Sequence, residues 1–387
     1  MTPSVSKAGR TAGLIGAAVG VLAAGAAAGV AVERQVIGRR SGQRAQLEAE
    51  PFGSLRGTPH VFTADDGVEL YVEVDELKRS RRPEPPKRRF SLTGAAGRGR
   101  NQDSKLPLPP EDLTVIFAHG YGLNMDCWHF ERRDLAGIGT MVFYDQRSHG
   151  RSGRSPKSHV SIEQLGRDLN GILEEFAPTG PVILIGHSMG GMAIMALAEQ
   201  RPEIVGDRII GVGLCSTSAG GLDTVPIVFP GKVGMLARAL ATPTVAALAR
   251  IPDVVERSRK AGTDISYLLT RKYSFGSEVP PAYTEFVNEM IAATPIEVIA
   301  EFYPIFALHD QYDSLEPLQK VECVVIGGDR DHLTPFTHAE EIVRRVPGSE
   351  LVEVTNCGHL GLIEHHREFT AALLGMIERA DQSLGPT

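Results

Sequence analysis

Short apolar runs rich in β-branched residues recur along the chain, separated by stretches with the three-to-four-residue spacing of amphipathic helices. Val68 to Val74, Thr114 to Ala118, Met141 to Tyr144, Val182 to Ile185, Ile209 to Leu214, Val321 to Ile326 and Leu351 to Val354 read as strands. Their alternation with helical patterns predicts an α/β protein, with a mostly parallel sheet covered by helices on both faces. Between Leu214 and Val321 lie about a hundred residues, far more than an ordinary helix-to-strand connection needs. Ala282 to Ala293 and Ile296 to Leu308 carry amphipathic patterns of their own inside this interval. The segment at about 220–318 is therefore expected to be an inserted helical cap. Its apolar residues, among them Val225, Ile227, Val228, Phe229, Met235, Leu236, Phe286 and Met290, serve either a hydrophobic substrate or the cap's own packing.

Two segments break the pattern. Ala12 to Val32 is a run of 21 uncharged residues, mostly alanine and glycine, long enough to cross a bilayer as a helix. Three readings stand open for it: an uncleaved single membrane anchor, a secretory signal cut near Ala26 to Ala31, or a leader that leaves the protein in the cytoplasm. Positive charge flanks it on both sides, with Lys7 and Arg10 before and Arg34, Arg39, Arg40 and Arg44 after, so charge does not fix an orientation. The second break, 78–110, is crowded with arginine, lysine, proline and glycine and offers little apolar surface to bury. It is expected to be a basic insertion between two early strands. The organisation expected is a leader at 1–57, carrying the 12–32 segment and a polar tether, followed by one catalytic domain at 58–387.

Chemistry enters at Gly186-His187-Ser188-Met189-Gly190, which follows a strand-like run and precedes a helix-like one. A strand that turns sharply into a helix holds its central serine in a strained and accessible conformation, and the flanking Gly186 and Gly190 let backbone pass close by. A serine hydroxyl needs a base, a carboxylate to orient that base and donors for the developing oxyanion. Asn356-Cys357-Gly358-His359 follows the last strand and supplies His359 as the base. The loop after Val321 to Ile326 holds Asp329 and Asp331, and Asp223 follows the preceding strand, so three carboxylates compete for the orienting role. Thr114 to Ala118 leads into His119-Gly120-Tyr121-Gly122, and the backbone N–H groups of Tyr121 and Met189 are assigned as oxyanion donors, with Gly120 giving the loop its close approach.

The order serine, acid, histidine and the motifs around it resemble the α/β-hydrolases, in their esterase and lipase branch, over about four-fifths of the chain from Thr58 onward. Tyr144-Asp145-Gln146-Arg147-Ser148-His149-Gly150-Arg151-Ser152 is similar to the family's Asp-x-Arg-x-x-Gly-x-Ser segment. Phe306 to Asp310 and Leu362 to His365 fall where family motifs precede the acid strand and follow the histidine. The family's Gly-x-x-Asp with a later proline matches Gly328, Asp331 and Pro335, so the resemblance implies Asp331 as the acid. It also implies a mostly parallel α/β-hydrolase sheet with a cap, and a serine nucleophile in place of the aspartate used by epoxide hydrolases and haloalkane dehalogenases.

Overall charge narrows the partners. A formal net charge of −7 gives no reason to expect nucleic acid. Cys127, Cys215, Cys323 and Cys357 lack the spacing of a zinc site or disulfide framework, and His332, His338, His365 and His366 lack a partnered carboxylate at metal spacing. No metal and no cofactor is expected, and oligomeric state is left open. The reaction expected is hydrolysis of a carboxylic ester with a hydrophobic, small-molecule or lipid-like acyl part, through an acyl-enzyme. The same residues serve a thioesterase, amidase, acyltransferase or carbon–carbon hydrolase, and a membrane-tethered binding protein on this fold is the alternative from another class.

Overall fold

A computed structural model describes residues 51–77, 113–222 and 263–384. The 12–32 run, the basic insertion, Asp223 and the cap residues Val225, Ile227, Val228, Phe229, Met235 and Leu236 lie outside these residues. Eight strands form one sheet: β1 (Thr58–Thr63), β2 (Glu69–Asp75), β3 (Thr114–Ala118), β4 (Thr140–Tyr144), β5 (Val182–His187), β6 (Ile209–Cys215), β7 (Glu322–Gly328) and β8 (Glu350–Val354). Their spatial order is β1-β2-β4-β3-β5-β6-β7-β8. β2 pairs antiparallel with β1 and with β4, and every other pairing is parallel.

The period-two alternation of each central strand sends its side chains to two separate cores. Ile116, Ala118, Leu184, Val212, Leu214 and Val325 face one; Val115, Phe117, Ile183, Ile185, Val324 and Ile326 face the other. Helices α1 (His129–Asp134), α2 (Ile162–Phe176) and α3 (Met189–Gln200) follow the early strands, and α2 starts where the Ser161 hydroxyl accepts the N–H of Gln164. α4 (Thr263–Ser274), α5 (Pro281–Ala293) and α6 (Ile296–Ala307) all lie between β6 and β7. Prolines at positions 280, 281 and 295 open the last two, as their fixed φ and missing N–H allow. α7 (Thr337–Arg345), α8 (Gly361–Glu364) and α9 (His366–Ser383) complete the chain. The first core is closed by Leu169 and Ile172 of α2, Ile194 and Leu197 of α3 and Ile342 of α7; the second by Phe130 of α1 and by Phe369, Leu373 and Met376 of α9.

Two features were not read from the sequence. β1 buries Phe62 alone, so it shows no apolar alternation. Phe52, ahead of β1, stacks on Phe286 of α5 at 5.0 Å and meets Tyr283 edge-on at 5.3 Å, so the body packs residues upstream of Thr58. Among the described residues no single helix is long and apolar enough to cross a membrane; only the α5–α6 pair, bent by 94°, combines the required length and composition.

Candidate active site

Ser188, Tyr121, Asp331 and His359 sit on loops at the carboxyl ends of parallel strands, where sheets of this class place their chemistry. Ser188 leaves β5 with φ 52° and ψ −116°, a left-handed backbone that a side-chain-bearing residue adopts only when its surroundings enforce it. Close packing supplies the enforcement. A Cβ at Gly190 would stand 2.0 Å from the Ala118 carbonyl oxygen, and one at Gly186 would stand 2.6 Å from the Gly190 backbone. Only glycine fits at either place.

The serine hydroxyl lies 3.0 Å from His359 Nε2, and His359 Nδ1 lies 2.8 Å from Asp331 Oδ2. The structure thus brings together the three residues of the sequence-level expectation. Asp329 turns elsewhere: its carboxylate accepts the Cys357 N–H at 3.2 Å. Asp331 is buried, with Oδ1 accepting the N–H groups of Leu333 and Thr334 and Oδ2 accepting the Thr334 hydroxyl as well as facing the imidazole. Burial on its own would raise the Asp331 carboxyl, but the adjacent His359 ring and these N–H donors outweigh it and hold the group below its usual range. It is poised as a fixed anion that selects the Nδ1–H tautomer of His359, leaving Nε2 as the acceptor toward Ser188.

The loop after β3 closes against the elbow. A Cβ at Gly120 would lie 3.3 Å from Ser188 Cβ and 2.6 Å from His187 Nδ1, so the missing side chain is what lets this loop pack against the elbow. Met189 opens α3, where the first N–H groups have no carbonyl of an earlier turn to donate to. The Tyr121 hydroxyl donates to the Ile299 carbonyl of α6 at 2.5 Å, and Thr294 Oγ1 donates to the Gly122 carbonyl at 3.2 Å. The α5–α6 region therefore rests directly on the loop after β3.

His187, inside the elbow, makes the structural hydrogen bond expected of it: it is fully buried, burial with the neighbouring His359 ring pushes it down to about 3, and as a neutral ring it donates from Nε2 to the His359 carbonyl at 2.9 Å. Two supporting residues escaped sequence reading. The Thr334 hydroxyl holds Asp331, and its Asp-x-x-Thr spacing is the local signal that would have found it. Glu364 accepts the Gly358 N–H at 2.7 Å, immediately before His359. The Asp145 to Ser152 segment braces the fold around the site. Arg147, fully buried, pairs with Asp66 at 2.8 Å and Asp168 at 2.6 Å, tying the β1–β2 turn to α2. Cys357, Glu364 and His365 bring possible ligand atoms within 4.8 Å of one another, but both Glu364 oxygens already accept backbone N–H groups. All four cysteines are free and buried.

Comparison with known proteins agrees with this architecture. A model described as the Alpha/beta hydrolase family matches residues 115–373. The chain is similar to an sn-1-specific diacylglycerol lipase of Mus musculus, 25% identical over 282 residues that span 71% of this chain and 82% of that one. It is also similar to a monoacylglycerol lipase of Mycolicibacterium smegmatis, 24% identical over 62% of this chain and 84% of the relative. Among solved structures, a thermophilic esterase from Thermogutta terrifontis shares the fold with a TM-score of 0.58 at 22% identity, covering 84% of this chain and 99% of the esterase.

Proposed function

Because the chain belongs to the α/β-hydrolase family and is a hydrolase, we propose that it cleaves carboxylic esters with an apolar acyl part through an acyl-enzyme on Ser188. The observation that carries this reading is the continuous relay from Ser188 Oγ to His359 Nε2 at 3.0 Å and from His359 Nδ1 to Asp331 at 2.8 Å. His359 removes the Ser188 proton as the oxygen attacks the ester carbonyl, and Asp331 stabilises the imidazolium that forms. The amides of Tyr121 and Met189 receive the oxyanion. As the tetrahedral intermediate collapses, His359 gives its proton to the leaving alkoxide, and the same base then activates a water that releases the acid.

The apolar acyl preference draws support from the lipase relatives and from α6, whose half-exposed Ile305 and Phe306 pack against the cluster that holds Met189 and borders Tyr121. Residues 12–32 act as a single membrane anchor in this proposal, consistent with an acyl substrate drawn from lipid.

The test is a screen of purified enzyme against acyl esters of graded chain length, with thioester and amide analogues alongside, and labelling by a serine-reactive fluorophosphonate. Ester turnover and labelling are expected in the wild type and neither in Ser188→Ala. Near-wild-type turnover in Ser188→Ala would remove the assignment. Preferential cleavage of the thioester or amide would reassign the bond while keeping the nucleophile. Carbonate extraction tests the anchor: the full chain is expected in the membrane pellet, and recovery in the supernatant rejects it.

A further inference from the structure

The backbone around His359 is gripped from outside its own loop at three consecutive residues. The Gly358 N–H donates to Glu364 Oε2 at 2.7 Å, the His359 carbonyl accepts from His187, and the Leu360 N–H donates to the Ser274 carbonyl at 2.8 Å. Ser274 is the last residue of α4, and the chain running on from it meets the same carboxylate. The Gly276 N–H donates to Glu364 Oε2 at 3.0 Å and the Ser277 N–H to Oε1 at 2.5 Å. Arg330, beside the acid, closes the ring, its guanidinium donating to the Gly276 carbonyl at 3.0 Å and its N–H to the Cys357 carbonyl at 3.0 Å.

We propose that Glu364 is a positioning residue that locks the His359 loop onto the 274–277 segment of the cap, so that the cap's seating sets the reach of the base toward Ser188. A carboxylate holding three backbone N–H groups, two from the cap and one from the residue before His359, is a stiff joint with charge-assisted bonds throughout. The contact it secures has no cushion. A Cβ at Gly276 would stand 2.6 Å from the Cys357 carbonyl carbon and 2.7 Å from the Gly358 nitrogen, so any advance of this segment displaces the base. The proposal rests on His359 acting as the base.

Two perturbations attack the joint from opposite sides. Glu364→Gln puts N–H donors against backbone N–H groups, and Gly276→Ala pushes a methyl into the loop while leaving Glu364 intact. With a short soluble ester, each is expected to lower kcat by about 10²-fold, the scale of a small misplacement of a catalytic group, with KM close to wild type. Glu364→Asp, which keeps the charge on a shorter arm, should recover part of the loss. Ile342→Val, a truncation in the opposite core, is expected to keep the wild-type kcat although it lowers the melting temperature. Wild-type kcat in folded Gly276→Ala or folded Glu364→Gln overturns the proposal, as does a loss appearing in KM; if Glu364→Gln does not fold, Gly276→Ala decides alone. Ser188→Ala run in parallel separates the two levels: its inactivity beside an unaffected Gly276→Ala rejects only the joint, whereas its full activity rejects the site and the joint together.

Discussion

Helices α3 and α6 are each 12 residues long and mostly apolar, yet 10 residues of α3 are buried and only Val298 and Phe302 of α6. α3 starts just after Ser188 and lies on the sheet, its first turn locked against β3 through Gly190, which admits no Cβ. α6 lies on the cap, with Ile296, Ile299, Ile305 and Phe306 only half-buried. Two apolar helices thus serve opposite ends. In α3 hydrophobicity fixes a strained serine by surrounding it with close-packed atoms, whereas in α6 it leaves apolar surface beside the 119–122 loop.

The sharpest break between these regions is chemical. Ser188→Ala and His359→Ala should each cost on the order of 10⁶-fold in turnover, because members of a triad act as one unit. Asp331→Asn should cost about 10⁴-fold by favouring the wrong imidazole tautomer. Asp329→Asn is expected to be far milder, since that carboxylate holds the Cys357 N–H, and Asp223→Asn milder too. Steady-state kinetics on one short ester ranks all five, and a larger loss at Asp329 or Asp223 than at Asp331 would displace the acid.

Stability should divide the regions next. Leu197→Ala, inside α3 and fully buried, is expected to cost about 2–5 kcal/mol in urea unfolding. Ile305→Ala on α6 should cost about 1 kcal/mol or less, because much of the side chain remains in water, and should shift acyl chain-length preference instead. Equal destabilisation by the two would mean that the cap is packed as tightly as the sheet.

Legibility in the sequence follows the same divide. The elbow was readable because strand, turn, glycines and helix are contiguous, and the parallel sheet because each strand announces itself by its own apolar run. Where a role depends on which of two neighbours turns inward, the pattern runs out. Asp329 and Asp331 share a loop, and what separates them is contact with Cys357 and His359, each 28 positions away. Glu364 and Thr334 hold the Gly358 N–H and Asp331, contacts that their short local patterns do not by themselves reveal. β1 was missed because an edge strand with one buried residue has no periodicity to display.

Phe52 belongs with these long-range contacts and gives a smaller, sharper test. Its ring sits among His129, Phe130, Tyr283 and Phe286 at 5.0–5.8 Å, joining the residues ahead of β1 to cap helix α5. A chain beginning at Thr58 should therefore unfold about 1–2 kcal/mol more easily than one beginning at Pro51. Phe52→Ala in the longer chain should reproduce most of that loss. Identical urea midpoints for the two lengths would show that the aromatic cluster holds without its upstream member.

Charge pairs carry the contrast to its smallest scale. On the sheet side, Arg147 is wholly buried between Asp66 and Asp168, whose side chains are 8% and 2% exposed. On the cap side, Glu301 pairs with Arg154 and Lys157, which are 43% and 82% exposed. Hydrogen bonding from Arg147 holds the Asp66 carboxyl well below its usual range, against the opposing pull of burial and with help from His159 and the Val68 N–H. A carboxyl depressed in the folded state adds stability that is complete above its unfolded value of about 3.9 and drains away as pH falls further. The urea midpoint should thus be insensitive to Asp66 near neutrality in its slope with pH, and should fall between about pH 5 and pH 2 more steeply in wild type than in Asp66→Asn. Glu301→Gln should leave that slope unchanged and alter stability by no more than about 0.5 kcal/mol, since pairing with partners this exposed is screened by water and gains little. A steep acid slope retained in Asp66→Asn would move the titrating group elsewhere, and a large loss in Glu301→Gln would show the cap's charges to be as structural as those beneath the sheet.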